Sequence, residues 1–182
     1  MATGRGTRLK FGPGELFVNP SDLSGTTGTG LGFTAPGSGI TVMPGLSITP
    51  IDTDERGAEK LKSIYAGCDW ALAAELINWD AGLAAAFPGL VSGTKVLYNN
   101  NVKLGTEIAP VKLLYVPDDA TNEDAVYFRK AVVHVEATAR LRINLGKTPD
   151  PTKLPVVFNN MSAQDGVPAT SVQIARLADI VL

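Results

Sequence analysis

The sequence predicts a mainly β protein with one α-helix packed on a sheet and extended loops. Three observations lead there. Nineteen glycines and twelve prolines punctuate 182 residues, a density of turn formers that suits many short strands. Several runs alternate apolar and polar residues at the period of a half-buried strand. Apolar residues make up 45% and charged residues 19%, the balance of a chain that buries a core rather than staying disordered. At this length roughly 70% of the unfolded surface can be buried, so no disulfide or structural metal is needed. One domain spanning residues 1–182 is expected, with a flexible N-terminal arm over about 1–12.

The elements follow in order. Met1 to Gly12 carries Arg5, Arg8 and Lys10 and no acid. It lacks the apolar core of a secretory signal. Gly14 to Asn19 reads as a first strand closed by Pro20. Ser21 to Gly30 is a Gly/Ser/Thr loop, and Pro36-Gly37-Ser38-Gly39 is a turn. Ile40 to Met43 and Leu46 to Ile51 alternate apolar and hydroxyl residues, and Pro44-Gly45 between them marks a bulge or bend on an edge strand. Asp52 to Lys62 reads as a charged exposed stretch with room for a helical turn.

From Cys68 to Asn78, Trp70, Leu72, Ala74 and Leu76 fall at period two. Ala, Leu and Glu are also good helix formers, so the stretch is readable both ways. A strand to Leu76 or Ile77 is preferred. A helix capped by Asn78 or Asp80 then runs through Ala81 to Phe87 until Pro88-Gly89 stops it, with a Leu83/Phe87 stripe to lay on a sheet. Thr94 to Tyr98 is a short strand. Ile108 to Val116 is apolar on both faces and expected to be central, and Pro117 to Asp124 is an acidic loop. Ala131 to Leu145 alternates without exception, which favours one long strand over a hairpin lacking Gly or Pro. Leu154 to Phe158 and Ser171 to Leu177 complete the sheet.

Chemistry-bearing patterns are sparse. Gly25, Gly28, Gly30 and Gly32 lack the G-x-G-x-x-G spacing and the following helix of a dinucleotide loop. Asp52 to Ser63 starts like a calcium loop, but Arg56 stands at position five and Ser63 at position twelve, where acceptors are required. Asp118, Asp119, Glu123 and Asp124 read better as a solvated acidic loop than as a cation site. The single His134, two residues from Glu136, has no G-x-S-x-G nucleophile elbow to serve. The single Cys68 excludes an intramolecular disulfide framework and reads as a buried structural thiol. Lys130, His134, Arg140 and Arg142 share a strand face, but base stacking needs interleaved aromatics and only Phe128 is near. The formal net charge of −2 supplies no global attraction for nucleic acid. No apolar stretch reaches the ~18 residues of a membrane helix. No catalytic, cofactor-binding or metal residue is nominated, and no enzyme activity is expected.

Several landmarks in order resemble the tail tube (major tail) proteins of tailed bacteriophages. Gly12-Pro13-Gly14-Glu15-Leu16-Phe17-Val18 resembles their glycine–proline start to a first strand. Leu31-Gly32-Phe33-Thr34, followed by Gly39-Ile40-Thr41-Val42, resembles a threonine–glycine stretch leading into a strand. Ile64 to Trp70, continued by Leu76-Ile77-Asn78-Trp79-Asp80, resembles their long strand leading into one helix. Lys130-Ala131-Val132-Val133 with its long alternation, then Leu154 to Phe158, resembles their closing strands.

The resemblance runs from about Gly12 to Leu177 and implies a β-sandwich or barrel with one flanking α-helix and extended loops, in a virion structural protein made in the host cytoplasm. Its subunits would form hexameric rings that stack into the hollow tube conducting DNA. Its partners would be further copies of itself, then the tape measure, tail tip and terminator proteins. Genomic DNA would pass through without specific binding. Asp52, Asp54, Glu55, Asp69 and Glu75 are the lumen candidates. Ser21, Gly25, Gly28, Gly30, Pro36 and Gly37 are the inter-ring loop candidates. Another virion component (a terminator, neck or capsid decoration protein) and a monomeric β-sandwich ligand-binding module are the alternatives.

Overall fold

The alternating runs become strands in a computed structural model, which describes residues 10–23, 29–35, 37–52, 60–77, 90–91, 97–98, 107, 109–133, 154–161 and 172–182. The strands are β1 (Gly14–Val18), β2 (Thr29–Thr34), β3 (Ile40–Asp52), β4 (Lys60–Ile77), β5 (Leu90–Val91), β6 (Leu97–Tyr98), β7 (Val111–Pro117), β8 (Ala125–Val133), β9 (Leu154–Asn160) and β10 (Val172–Ala175). A 3-10 turn, Leu177–Asp179, follows β10. β5 and β6 form a separate two-stranded pair.

Six strands close on themselves. The antiparallel path β8-β7-β1-β2-β4 is completed by β9, which pairs with β4 on one side and β8 on the other. Closure leaves no open edge within that ring of strands. The protein is therefore a β-barrel. The expected flanking helix over residues 80–87 lies outside the described residues.

The barrel interior is filled by side chains at period two: Leu16 and Val18 from β1, Leu72, Ala74 and Leu76 from β4, Leu113 and Tyr115 from β7, Val126 and Phe128 from β8, Val156 and Phe158 from β9. Leu31 joins them from a bulge in β2, where Leu16 faces Gly32 but Phe17 faces Gly30. A second apolar cluster lies on the outer face of β1, β7 and β8, where Phe17, Leu114, Ala125 and Tyr127 are covered by Leu177, Ile180 and Leu182.

Several expectations are corrected. Between the loop expected over Ser21 to Gly30 and the turn expected at Pro36–Gly39 stands a strand that the sequence reading does not assign: β2 starts at Thr29, inside the expected loop, and buries Leu31 and Thr34. Glycines at 30 and 32 hide that strand from a propensity reading. The charged stretch Asp52 to Lys62 is not a helical turn where described, since Asp52 ends β3 and Lys60–Lys62 begin β4. β4 thus starts well before Cys68. The strand assigned to Ala131 begins earlier, at Ala125, with β-rich Val126, Tyr127 and Phe128; residues 134–145 lie outside the described residues. β7 sits between β1 and β8, as its two apolar faces required.

Candidate assembly surface

The residues after Gly39 build the most distinctive feature of the molecule. β3 pairs with β4 along its whole length, from Ile40 opposite Ala74 to Asp52 opposite Lys60. On the other side of β4, β9 reaches only from Leu76 to Ala71. Beyond that point the described ladders contain two strands alone. The stretch of β4 from Lys60 to Trp70 adds about 35 Å of ribbon, at roughly 3.3 Å per residue. Two register shifts, at Ser47/Ile48 and Ile51/Asp52, place Ala66 and Leu61 as extra residues on β4. Such bulges bend a ribbon and increase its twist.

The two edges of the ribbon differ. β3 carries Pro44 and Pro50 inside the ladder, opposite Trp70 and Ser63. Proline is tolerated there because β3 is an edge strand in the described sheet, and it denies that edge two donors. Lys60 and Lys62 stand at the outer end of β4 in the sequence. The run Ser63–Cys68 contains neither a proline nor a charge. Exposed apolar side chains line the ribbon and the barrel flank next to it: Ile48 is 56% exposed, Phe33 47% and Met43 43%.

The lumen candidates divide. Asp69 and Glu75 are exposed and share the outer face of β4, six residues apart. Asp52 ends β3 opposite Lys60. Asp54 and Glu55 lie outside the described residues. The inter-ring candidates are not brought together. Ser21 and Gly30 lie at the end of the barrel where β1 leaves and β2 enters. Gly37 lies at the opposite end, in the β2–β3 turn with φ of +79°. Gly25, Gly28 and Pro36 lie outside the described residues.

The Gly37 end is tightly built. The Gly12 N–H donates to Glu123 Oε2 at 2.9 Å, and the Tyr115 hydroxyl donates to the Gly12 carbonyl. The Asp118 N–H donates to the Pro13 carbonyl at 3.0 Å. Burial, then the Glu123 and Asp118 carboxylates, push the Tyr115 phenol above its ordinary range. Phe11 packs on the core. Residues 11 and 12, at the inner end of the expected arm, are thus fastened to the barrel. The acidic loop is engaged in the same structure. Asn122 bonds both Asp119 carboxylate oxygens, at 3.2 and 2.9 Å, and holds Asp119 below the usual carboxylate range. Among the described residues no three His, Cys, Asp or Glu gather to hold a metal ion.

Phe128 is fully buried inside the barrel, so it offers no stacking platform beside Lys130. His134, Glu136, Arg140 and Arg142 lie outside the described residues, and so does the Cys68 side chain. A shallow groove of about 330 Å³ lies beside Glu75, floored by Gly39, Thr41, Ala73 and Val157. Sequence reasoning missed the ribbon as a unit. The signal was present: two alternating runs flank a short charged stretch, the pattern of a long hairpin. No helix among the described residues is long and apolar enough to cross a membrane. A scan against protein-family models finds no match, and a search of curated proteins finds none either.

Proposed function

We propose that this chain is a structural, self-assembling subunit of the bacteriophage tail tube type, whose hexameric rings stack into a hollow conduit for DNA. One observation carries the reading: among the described residues, the β3–β4 ribbon runs on past β9 as two strands. An isolated two-stranded ribbon is marginally stable in water. Pairing with a strand of another copy would complete it and remove the open edge. The Ser63–Cys68 run of β4 is the stretch offered for that pairing. The exposed Ile48 and Met43 would be covered in the assembled state.

In this reading the outer face of β4 turns toward the channel. Asp69 and Glu75, with Asp52 at the ribbon end and with Asp54 and Glu55, would give the wall a negative sign that keeps DNA sliding rather than sticking. The tape measure, tail tip and terminator proteins would meet the ends of the stack, and the subunit would reside in the virion after assembly in the host cytoplasm. The helix expected over residues 80–87 would lay Leu83 and Phe87 on the outer sheet face, giving the layered, sandwich-like outline expected from sequence. A role in catalysis is not part of this reading. A binding module that holds its ligand inside the barrel is disfavoured, because Tyr115, Phe128 and Phe158 already fill that space.

Negative-stain microscopy of the purified chain over a concentration series, beside a sizing column, tests the proposal. Rings or hollow tubes with a central channel are the expected result. A monodisperse monomer at every concentration, unchanged by added tail-tip complexes, would overturn it.

A further inference from the structure

We infer that residues 176–182 form a latched strap, which opens as a unit while the barrel beneath stays closed. This inference does not rest on the assembly reading. After Ala175 the chain leaves the ladder with β8 and crosses the outer face of β1, β7 and β8. One side chain fastens it there. The Gln173 amide donates from Nε2 to the Val181 carbonyl at 2.7 Å, and its Oε1 accepts the Val181 N–H at 2.9 Å. The backbone bonds within the strap are local, from the Asp179 N–H to the Arg176 carbonyl at 2.9 Å and from the Ile180 N–H to the Leu177 carbonyl at 3.4 Å. Segments held by a few exposed hydrogen bonds open sub-globally, below the free energy of the core strands.

The surface under the strap carries an opposing term. Tyr127 is completely buried, and its hydroxyl has no hydrogen-bond partner among the described residues. Gln173 stands directly opposite Tyr127 in the β8–β10 ladder, so the two side chains share a face. The Gln173 amide bonds Val181 through both its nitrogen and its oxygen rather than the phenol. Closing the strap buries apolar surface from Leu177, Ile180 and Leu182, but it also strips water from that hydroxyl. Opening returns the water. The two states therefore differ in a term that one atom controls.

Hydrogen exchange on the full chain, read residue by residue, tests this. The Ile180 and Val181 amides are expected to exchange faster than the β7 and β8 ladder amides of Leu114 and Tyr127. Gln173→Leu, which removes the latch, should speed strap exchange about tenfold and leave the ladder amides unchanged. Tyr127→Phe, which removes the unpaired hydroxyl and keeps the ring, should slow strap exchange about tenfold. The opposite signs of the two variants are the signature. Strap and ladder amides that exchange at one common rate would overturn the inference. So would a Tyr127→Phe chain whose strap exchanges as fast as the parent or faster.

Discussion

The Thr34 hydroxyl occupies both backbone groups of Gly14 across the β1–β2 pair. It accepts the Gly14 N–H at 2.9 Å and donates to the Gly14 carbonyl at 3.2 Å. Apart from the tyrosine phenols, Thr34 is the buried polar side chain among the described residues. One hydroxyl thus satisfies a donor and an acceptor at the strand end, where neither could stay unpaired out of water.

Thr34→Val keeps the shape and removes both bonds. It should lower unfolding stability by about 1–3 kcal/mol, while Thr34→Ser loses less. Urea denaturation midpoints check the ranking.

Gly14, Gly39 and Gly37 should differ when each is changed to alanine. At Gly14 a Cβ would stand 2.4 Å from the Val116 carbonyl oxygen and 2.8 Å from Pro117 Cα, both backbone atoms. At Gly39, with φ of +52°, it would stand 2.1 Å from the Phe11 carbonyl oxygen. Gly37 has φ of +79° and open space around it. Gly37→Ala should cost about 1–2 kcal/mol from its left-handed backbone alone. The other two should cost more, since backbone must move. Thermal unfolding of the three variants gives the order.

Alkaline pH should destabilise the fold. Burial raises the phenols of both Tyr115 and Tyr127 above their ordinary value near 10. Folded chains then hold protons that unfolded chains release. The contribution is complete below pH 10 and is lost as pH rises through the folded values. Tyr115→Phe and Tyr127→Phe should each flatten the fall in stability above pH 10, measured by denaturation at a series of pH values.

At the acidic turn, Asn122→Ala should move the Asp119 carboxyl back up toward its ordinary range, because the Asn122 side chain is the main cause of its lowering. A carboxylate with a lowered value favours the fold above the ordinary range and loses that effect as pH falls through the folded value. Asp119 is fully exposed, so global stability should hardly change. A carboxyl-carbon NMR titration reads the shift directly.

Ile48→Lys separates assembly from folding. Ile48 is more than half exposed, so the barrel should keep its stability within about 0.5 kcal/mol. Under the tube proposal the ribbon then places a charge in a copy–copy contact, and rings or tubes should disappear from micrographs. Unimpaired assembly would remove the ribbon from the interface.

Local chemistry made part of this molecule legible in advance. The first strand from Gly14, the strand ending at Ile77, the central strand before Pro117 and the closing strand from Leu154 all follow from alternation bounded by glycine or proline. β2 did not, because its inward Leu31 depends on a bulge and two glycines, and only the facing β1 explains them. The candidate residues show the same split. Asp69 and Glu75 were readable as one exposed face, since strand period decides that locally. The separation of Gly30 from Gly37 by the length of β2 was not.

Thus the order of apolar and polar residues determined by itself that the chain is mainly β and which strand faces turn inward. Period two is a property of each strand alone. Closure of six strands into a barrel, and the run of β4 past β9 into a two-stranded ribbon, were decided only by tertiary structure. Both depend on which strands pair and how far each pairing extends, and those contacts join residues as distant in sequence as Leu72 and Phe158.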